Sequence, residues 1–202
     1  MLPISRNYLI NYKRERKIYI MKTKIFLLLF TFGLLLNVSA QEINWVTLEE
    51  AVTLQKKNPK KIMMDVYTAW CGPCKMLDKN TFHNKDVVDY VNEHYYAVKF
   101  NAEGDDVITF KGNTYSNPGY KPELAKRRNS AHELTRFLKV RAYPTLIFMD
   151  EEANTIAPIT GYKQPQQLEL YLKMFKNDDH KGLTTQQMFN DYYKEFTPKF
   201  NN

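Results

Sequence analysis

Short apolar runs alternate with amphipathic stretches over residues 45–176, and this alternation predicts an α/β sandwich. The runs at 62–67, 95–100 and 145–149 are rich in β-branched and aromatic residues and predict buried strands. A turn then separates the last run from residues 155–159, which predict its hairpin partner.

Helix-start signals lie between these strands. Thr47 and Ser130 each stand three residues before a glutamate, which predicts two capping boxes. Asn84 predicts a further N-cap, and Pro165 suits a first helical position. Additional helices are expected at 72–81 and 184–196, and a hairpin is expected at 107–115.

The charge of the chain is concentrated at one end. The 202 residues carry 29 Lys and Arg against 22 Asp and Glu, a net charge of +7. Residues 1–40 hold 7 of the basic residues and 1 acidic residue, whereas residues 41–202 hold 22 and 21. The nearly neutral body argues against a phosphate-binding surface, so no nucleic-acid partner is expected.

The first forty residues have the parts of a secretory signal peptide. Lys22 and Lys24 precede an uncharged run at 25–36, and Val38-Ser39-Ala40 satisfies the small-residue rule for cleavage after Ala40. Twelve helical residues span about 18 Å, well short of the roughly 30 Å hydrocarbon core, so an uncleaved anchor is the weaker alternative. Residues 1–20 are either an upstream extension, with Met21 as the true start, or a long n-region.

Cys71 and Cys74 are the only two cysteines, so any intramolecular disulfide joins them. Such a bridge closes a very short loop and restrains little chain entropy, which makes reversible redox chemistry a better explanation than a structural staple. The four histidines are scattered and no second cysteine pair exists, which argues against zinc. Lys75 follows the pair where haem attachment requires histidine. Two inert thiols remain the alternative.

The position of the pair favours redox chemistry. The strand at 62–67 ends just before Trp70, and the pair opens the next predicted helix. Cys71 would lie at the helix N-terminus, where free N–H groups favour a thiolate, and Cys74 would lie one turn further on. Cys71 is therefore the candidate nucleophile, Cys74 the candidate resolving thiol, and Pro73 stiffens the turn between them.

The run Trp70-Cys71-Gly72-Pro73-Cys74-Lys75 resembles the active-site motif of the thioredoxin family. Further matches follow in the family's order along residues 45–176: Asp65, Lys99, the Tyr143-Pro144-Thr145 segment and Gly161. The resemblance implies a three-layer α/β/α sandwich with a central mixed sheet over residues 41–177. It also implies an insertion at 104–130, ahead of the cis-proline helix, and an extra C-terminal helix within 178–202.

The resemblance also implies roles for the matched residues. Asp65 would be a buried carboxylate with a raised pKa that exchanges a proton with Cys74, and Lys99 would be its partner. Pro144 would be cis and bring its neighbour's backbone beside Cys71. The implied substrate-binding residues are Trp70, Gly72, Pro73, Tyr143, Pro144 and Gly161. No metal and no cofactor other than the cysteine disulfide is expected.

Two regions depart from a minimal member of the family. The insertion and the helix after it carry seven basic residues, and this cluster is either a solvated face or a docking surface for a partner. These are Lys121, Lys126, Arg127, Arg128, Arg136, Lys139 and Arg141. The aromatic stripe of 178–202 either packs on the domain or binds a partner. Tyr143 stands where many family members have a smaller or aliphatic residue.

The sequence thus predicts a monomeric, exported protein-disulfide reductase of the periplasm or extracellular space. Its expected partners are disulfide-containing exported proteins and a membrane-embedded thiol reductant. A disulfide oxidase or isomerase of the same fold is the first alternative. A non-catalytic binding or chaperone-like module is the second.

Overall fold

A computed structural model describes residues 14–17, 19, 21–24 and 42–201. It divides the chain into two compact units, Met1–Ala40 and Gln41–Asn202. The described residues of the first unit are helical. The predicted apolar run at 25–36 and the cleavage site after Ala40 lie outside the described residues. In the part of the chain that is described, no helix is both long and apolar enough to cross a membrane.

The second unit alternates strands and helices as the sequence predicts. The strands are β1 (Trp45–Val46), β2 (Lys61–Tyr67), β3 (Tyr95–Asn101), β4 (Ile108–Phe110), β5 (Asn113–Tyr115), β6 (Thr145–Met149) and β7 (Thr155–Thr160). The α-helices are α1 (Leu48–Gln55), α2 (Gly72–Leu77), α3 (Lys85–His94), α4 (Glu133–Phe137), α5 (Pro165–Lys176) and α6 (Gln186–Glu195). Short 3-10 turns occupy Pro122–Leu124 and Asp179–Gly182.

Five strands form one mixed sheet in the order β1-β3-β2-β6-β7. β3 runs parallel to both β1 and β2, whereas β6 is antiparallel to β2 and β7. The register places Asp65 of β2 beside Lys99 of β3. One edge of the sheet is the two-residue β1, and the other is β7, in which Pro158 lies opposite Ile147.

Side chains of the central strands are buried on both faces of the sheet, as the period of two requires. Ile62, Met64 and Val66 of β2 pack with α1, α4 and the β4–β5 hairpin. Met63 points to the opposite face, which α2, α3 and α5 cover. Helices on both faces confirm the predicted three-layer sandwich. Each fully buried aliphatic side chain contributes about 2 kcal/mol to its stability.

Several predicted helix starts are confirmed. The Thr47 hydroxyl accepts the Glu50 amide at 3.1 Å at the start of α1. The Asn84 side chain accepts amides from the first turn of α3 at 3.0 and 3.3 Å. Pro165 opens α5 as its first residue.

The capping box predicted at Ser130 is wrong. The N-cap of α4 is His132, whose ring accepts the Leu134 amide at 3.0 Å. The Ser130 hydroxyl instead donates to the Asn117 side chain at 2.6 Å. The Glu133 carboxylate accepts the Ser116 amide at 2.8 Å. Both predicted capping side chains are therefore used to hold the insertion in place.

The helix predicted over 72–81 changes geometry along its length. The α-helix α2 ends at Leu77, and a π-helical turn continues from Asp78 to Phe82. Two side-chain bonds accompany this turn: the Thr81 hydroxyl donates to the Lys163 carbonyl, and the His83 ring contacts the Asp78 carbonyl, both at 2.7 Å.

The insertion is folded back on the domain. β4 and β5 form the predicted hairpin, which turns through Lys111 and Gly112 with φ of 50° and 77°. Glycine suits such a left-handed position because it has no Cβ. At the base of the insertion, the Asn117 amide donates to the carbonyls of Gly104 and Ser130 at 2.9 and 2.8 Å. One side chain thus ties together the two ends of the insertion.

The C-terminal tail, residues 197–201, packs on α3 and α5. The Glu169 carboxylate of α5 is fully buried and accepts the amides of Lys199 and Phe200 at 2.7 and 2.8 Å. Lys173 forms a salt bridge with the same carboxylate. In α6, Phe189 packs against the hydrophobic core, whereas Met188 and Tyr193 are exposed.

Candidate active site

The two cysteines form a disulfide at the start of α2. β2 delivers the chain to this point, and Cys71 is the N-cap of the helix. The Cys71 sulfur accepts the Cys74 amide at 3.1 Å. Such a bond stabilises negative charge on Cys71 when the pair is reduced. Both cysteines are buried, but Gly72 and Pro73 between them are exposed.

A groove of about 520 Å³ adjoins Cys71, and we call it the Cys71 groove. It brings together three chain segments: the turn before α2, the end of β3 with the insertion, and the segment before Pro144. The lining residues are Trp70, Cys71, Gly72, Pro73, Glu103, Arg128, Arg141, Ala142 and Tyr143. Its size suits a few residues of a polypeptide.

Trp70 is held in a defined position within the Cys71 groove. Its indole N–H donates to the Glu103 carboxylate at 2.7 Å, and the same oxygen accepts the Asn129 amide at 2.8 Å. The Arg128 guanidinium lies 4.8 Å from the centre of the indole ring, within cation–π range. The Tyr143 ring meets the indole edge-on, with centroids 6.2 Å apart.

The Tyr143–Pro144 peptide bond is cis. The Pro144 carbonyl accepts the amide of Gly161 at 2.8 Å, and Gly161 has a left-handed φ of 87°. Glycine is favoured there because a Cβ would strain this conformation. Pro144 and Gly161, both predicted to bind substrate, are thus joined by a hydrogen bond but are not among the residues that line the groove, whereas Tyr143 lines it.

Asp65 lies on the other side of the disulfide, on the β2 face that α2 covers. Its side chain is 2% exposed, and its Oδ1 has no hydrogen-bond partner in the described structure. The pKa of Asp65 is raised to about 7, mainly because burial disfavours the charged form; the Lys99 charge lowers this pKa, and the Asp78 charge makes a smaller contribution that raises it. Asp65, Cys74 and Asp78 line a common cavity of about 180 Å³, the Asp65 cavity.

The partner of Lys99 differs from the sequence expectation. Lys99 stands beside Asp65 in the sheet register, but its ammonium forms a salt bridge with Asp78 at the start of the π-helical turn. Lys99 therefore acts on Asp65 at longer range, by charge alone. The same ammonium lies 5.2 Å from the Trp45 ring and 5.5 Å from the Tyr67 ring.

Four residues near the disulfide were not predicted as site residues. Asp78 follows Cys74 by four positions, the helical spacing that places side chains on one face. Glu103 follows the carboxyl end of β3, the sheet edge where α/β proteins bind ligands. The sequence predicts Arg128 and Arg141 only as members of a basic cluster, because the irregular insertion and the segment before Pro144 have no periodicity from which to place their side chains.

Among the residues that the structure describes, no cluster of three or more His, Cys, Asp or Glu side chains is arranged to hold a metal ion.

Comparison with known proteins gives one family and several distant relatives. A family model described as a thioredoxin-like domain matches residues 48–176. The thiol:disulfide interchange protein DsbD of Pectobacterium atrosepticum is 24% identical over 121 residues, which are 59% of this chain and 17% of DsbD. DsbD of Photorhabdus laumondii is 28% identical over 113 residues, or 56% of this chain and 15% of DsbD.

These curated relatives are therefore much longer than the part that this chain matches. Among solved structures, a thioredoxin from Thermus thermophilus is similar with a TM-score of 0.49 and 14% identity. That match covers 66% of this chain and 87% of the thioredoxin.

Proposed function

This chain belongs to the thioredoxin-like domain family, and from that premise we propose that it is an exported protein-disulfide reductase acting through Cys71 and Cys74. The observation that carries the proposal is the Cys71–Cys74 disulfide at the start of α2, beside an open groove. The similarity to proteins named thiol:disulfide interchange protein supports dithiol–disulfide exchange as the reaction.

Cys71 is the attacking residue in this proposal. In the reduced protein its thiolate, stabilised by the Cys74 amide, attacks one sulfur of a substrate disulfide bound in the Cys71 groove. A mixed disulfide forms between Cys71 and that sulfur, and the second substrate sulfur leaves as a thiolate. The aromatic side chains of Trp70 and Tyr143 line the groove, and the substrate packs against them.

Cys74 completes the exchange. Asp65 accepts the Cys74 proton, and the Asp65 cavity links the two residues. A carboxylate with a pKa of about 7 suits this transfer because it holds or releases a proton near neutral pH. The Cys74 thiolate then attacks the Cys71 sulfur, the Cys71–Cys74 disulfide forms, and the substrate leaves with both of its sulfurs reduced.

Each turnover therefore moves two electrons from the cysteine pair to the substrate. The disulfide form must then receive two electrons from a second thiol reductant before the next cycle. We propose a membrane-embedded thiol donor and disulfide-containing exported proteins as the partners. Export itself is proposed from the signal-peptide features of residues 22–40.

Turnover of insulin disulfides with dithiothreitol tests the reaction, with Cys71→Ser and Cys74→Ser as matched variants. Wild type should accelerate reduction, and both variants should lose turnover. Only Cys74→Ser should accumulate a mixed disulfide with substrate, visible by non-reducing electrophoresis. Turnover that survives Cys71→Ser would contradict the assignment.

The equilibrium potential of the Cys71–Cys74 couple tests the direction. A value of about −270 mV against a glutathione buffer would match a reductase, whereas about −120 mV would favour an oxidase. Export is tested separately by sequencing the N-terminus of the protein recovered from the periplasm or medium. The expected first residue is Gln41.

A further inference from the structure

The Cys71 groove carries two positive side chains on different walls. Arg128 belongs to the insertion, and Arg141 lies two residues before Tyr143. Both are exposed, and neither forms a salt bridge within residues 42–201. Glu103, the acidic side chain of the lining, already accepts two hydrogen bonds, from Trp70 and from the Asn129 amide.

Arg128 is also positioned by its surroundings. Its guanidinium lies on the Trp70 ring, and the next residue, Asn129, is fixed through its backbone amide to Glu103. The Asn129 side chain further accepts the Lys121 amide at 3.0 Å and donates to the Lys121 carbonyl at 2.8 Å. An arginine held in this way loses less side-chain entropy on binding an anion than a freely moving one does.

We propose that the Cys71 groove selects disulfides that lie in acidic polypeptide segments. Arg128 and Arg141 donate paired hydrogen bonds to Asp or Glu side chains next to the substrate cysteine. Trp70 and Tyr143 pack on the neighbouring apolar part of the segment. The proposal rests on the proposed function, since it names the substrate class of the same site.

The insertion therefore contributes Arg128 directly to the Cys71 groove. Two other basic residues of the insertion differ in position from Arg128: Lys126 and Arg127 line a separate surface depression with Pro122, outside the Cys71 groove. They provide controls that have the same charge and lie in the same loop but do not face Cys71.

The test uses three peptides that share one disulfide and differ only in the residues flanking it, which are Glu, Gln or Lys. Serine analogues of the same peptides give binding constants for the oxidised protein by calorimetry, without any turnover. Wild type should bind the Glu peptide about tenfold more tightly than the Gln peptide, and the Lys peptide most weakly. About 1 M salt should remove most of this preference.

The variants locate the effect. Arg128→Gln combined with Arg141→Gln should reduce the Glu-to-Gln affinity ratio to about one, whereas Lys126→Gln combined with Arg127→Gln should keep it about tenfold. Arg128→Lys should retain part of the preference because it keeps the charge but not the planar fork.

Several outcomes would overturn the proposal. These are equal affinity of the wild type for the Glu and Gln peptides, or a ratio unchanged in the Arg128 and Arg141 double variant. Oxidised glutathione competing as strongly as the Glu peptide would also do so, by pointing to a small anionic disulfide. Because binding is measured without exchange, absence of turnover with every peptide would refute the reductase and leave the affinity ratio to decide this inference.

Discussion

The stability of the oxidised protein should depend on pH, and replacing the buried Asp65 by asparagine should remove most of that dependence. Asn has nearly the same shape but cannot ionise. In the wild type, Asp65 must either carry its charge at a buried position or keep its proton. The substitution therefore isolates the free energy of ionising this one carboxyl group.

The magnitude follows from the pKa. Burial raises the pKa of Asp65 from 3.8 to about 7. The unfolded chain loses this proton near the lower value, so the folded state holds more protons between the two values. Stability therefore falls as pH rises through this window and is level above it. At about 1.4 kcal/mol per pH unit, the loss from about pH 5 to about pH 8 is about 3 kcal/mol.

Urea denaturation of the oxidised protein at these two pH values measures the effect. The free energy of unfolding should fall by about 3 kcal/mol more in the wild type than in Asp65→Asn. The cost of burying the amide is the same at both pH values and cancels. Asp105→Asn, at an exposed loop position, is the control and should behave like the wild type. A difference below about 1 kcal/mol between wild type and Asp65→Asn would refute the reasoning.

Substitutions at three further positions test other features of the structure. Asp78→Asn should release Lys99 from its salt bridge and lower the titration midpoint of Asp65 by about one pH unit. The carboxyl NMR shift of Asp65 measures this midpoint, and an unchanged midpoint would argue against coupling between Asp65 and Asp78. Glu169→Ala should lower the free energy of unfolding by about 3 kcal/mol and make the C-terminal tail sensitive to protease. A tail that stays resistant to protease in this variant would contradict the role of Glu169 as its anchor. His132→Ala should lower the free energy of unfolding by about 2 kcal/mol, measured by urea denaturation. His132→Asn should recover part of this loss because asparagine restores a cap, and equal losses in the two variants would contradict the capping role.

The features predicted correctly are those encoded by neighbouring residues. The central strands appear as continuous apolar runs because both of their faces are buried. The Cys71–Cys74 turn is likewise local, since strand end, cysteines and helix start are consecutive in the chain. These signals, with the family resemblance, are sufficient to predict the fold and the Cys71–Cys74 disulfide.

The features missed depend on residues far apart in the chain. Lys99 has two acidic neighbours, and only the path of the π-helical turn shows that Asp78 is the one it pairs with. Ser130 and Glu133 satisfy the capping pattern, but the insertion competes for both side chains through Asn117 and Ser116. A local sequence pattern cannot reveal this competition, because the competing groups lie more than ten positions away in the sequence.

The two edge strands of the β-sheet affect how readily copies of the protein associate at high concentration. A neighbouring molecule that added a strand would need a run of free backbone donors and acceptors. β1 offers two residues, and the proline in the middle of β7 removes a donor from the opposite border. We therefore expect edge-to-edge strand pairing between copies to be disfavoured at both borders of the sheet.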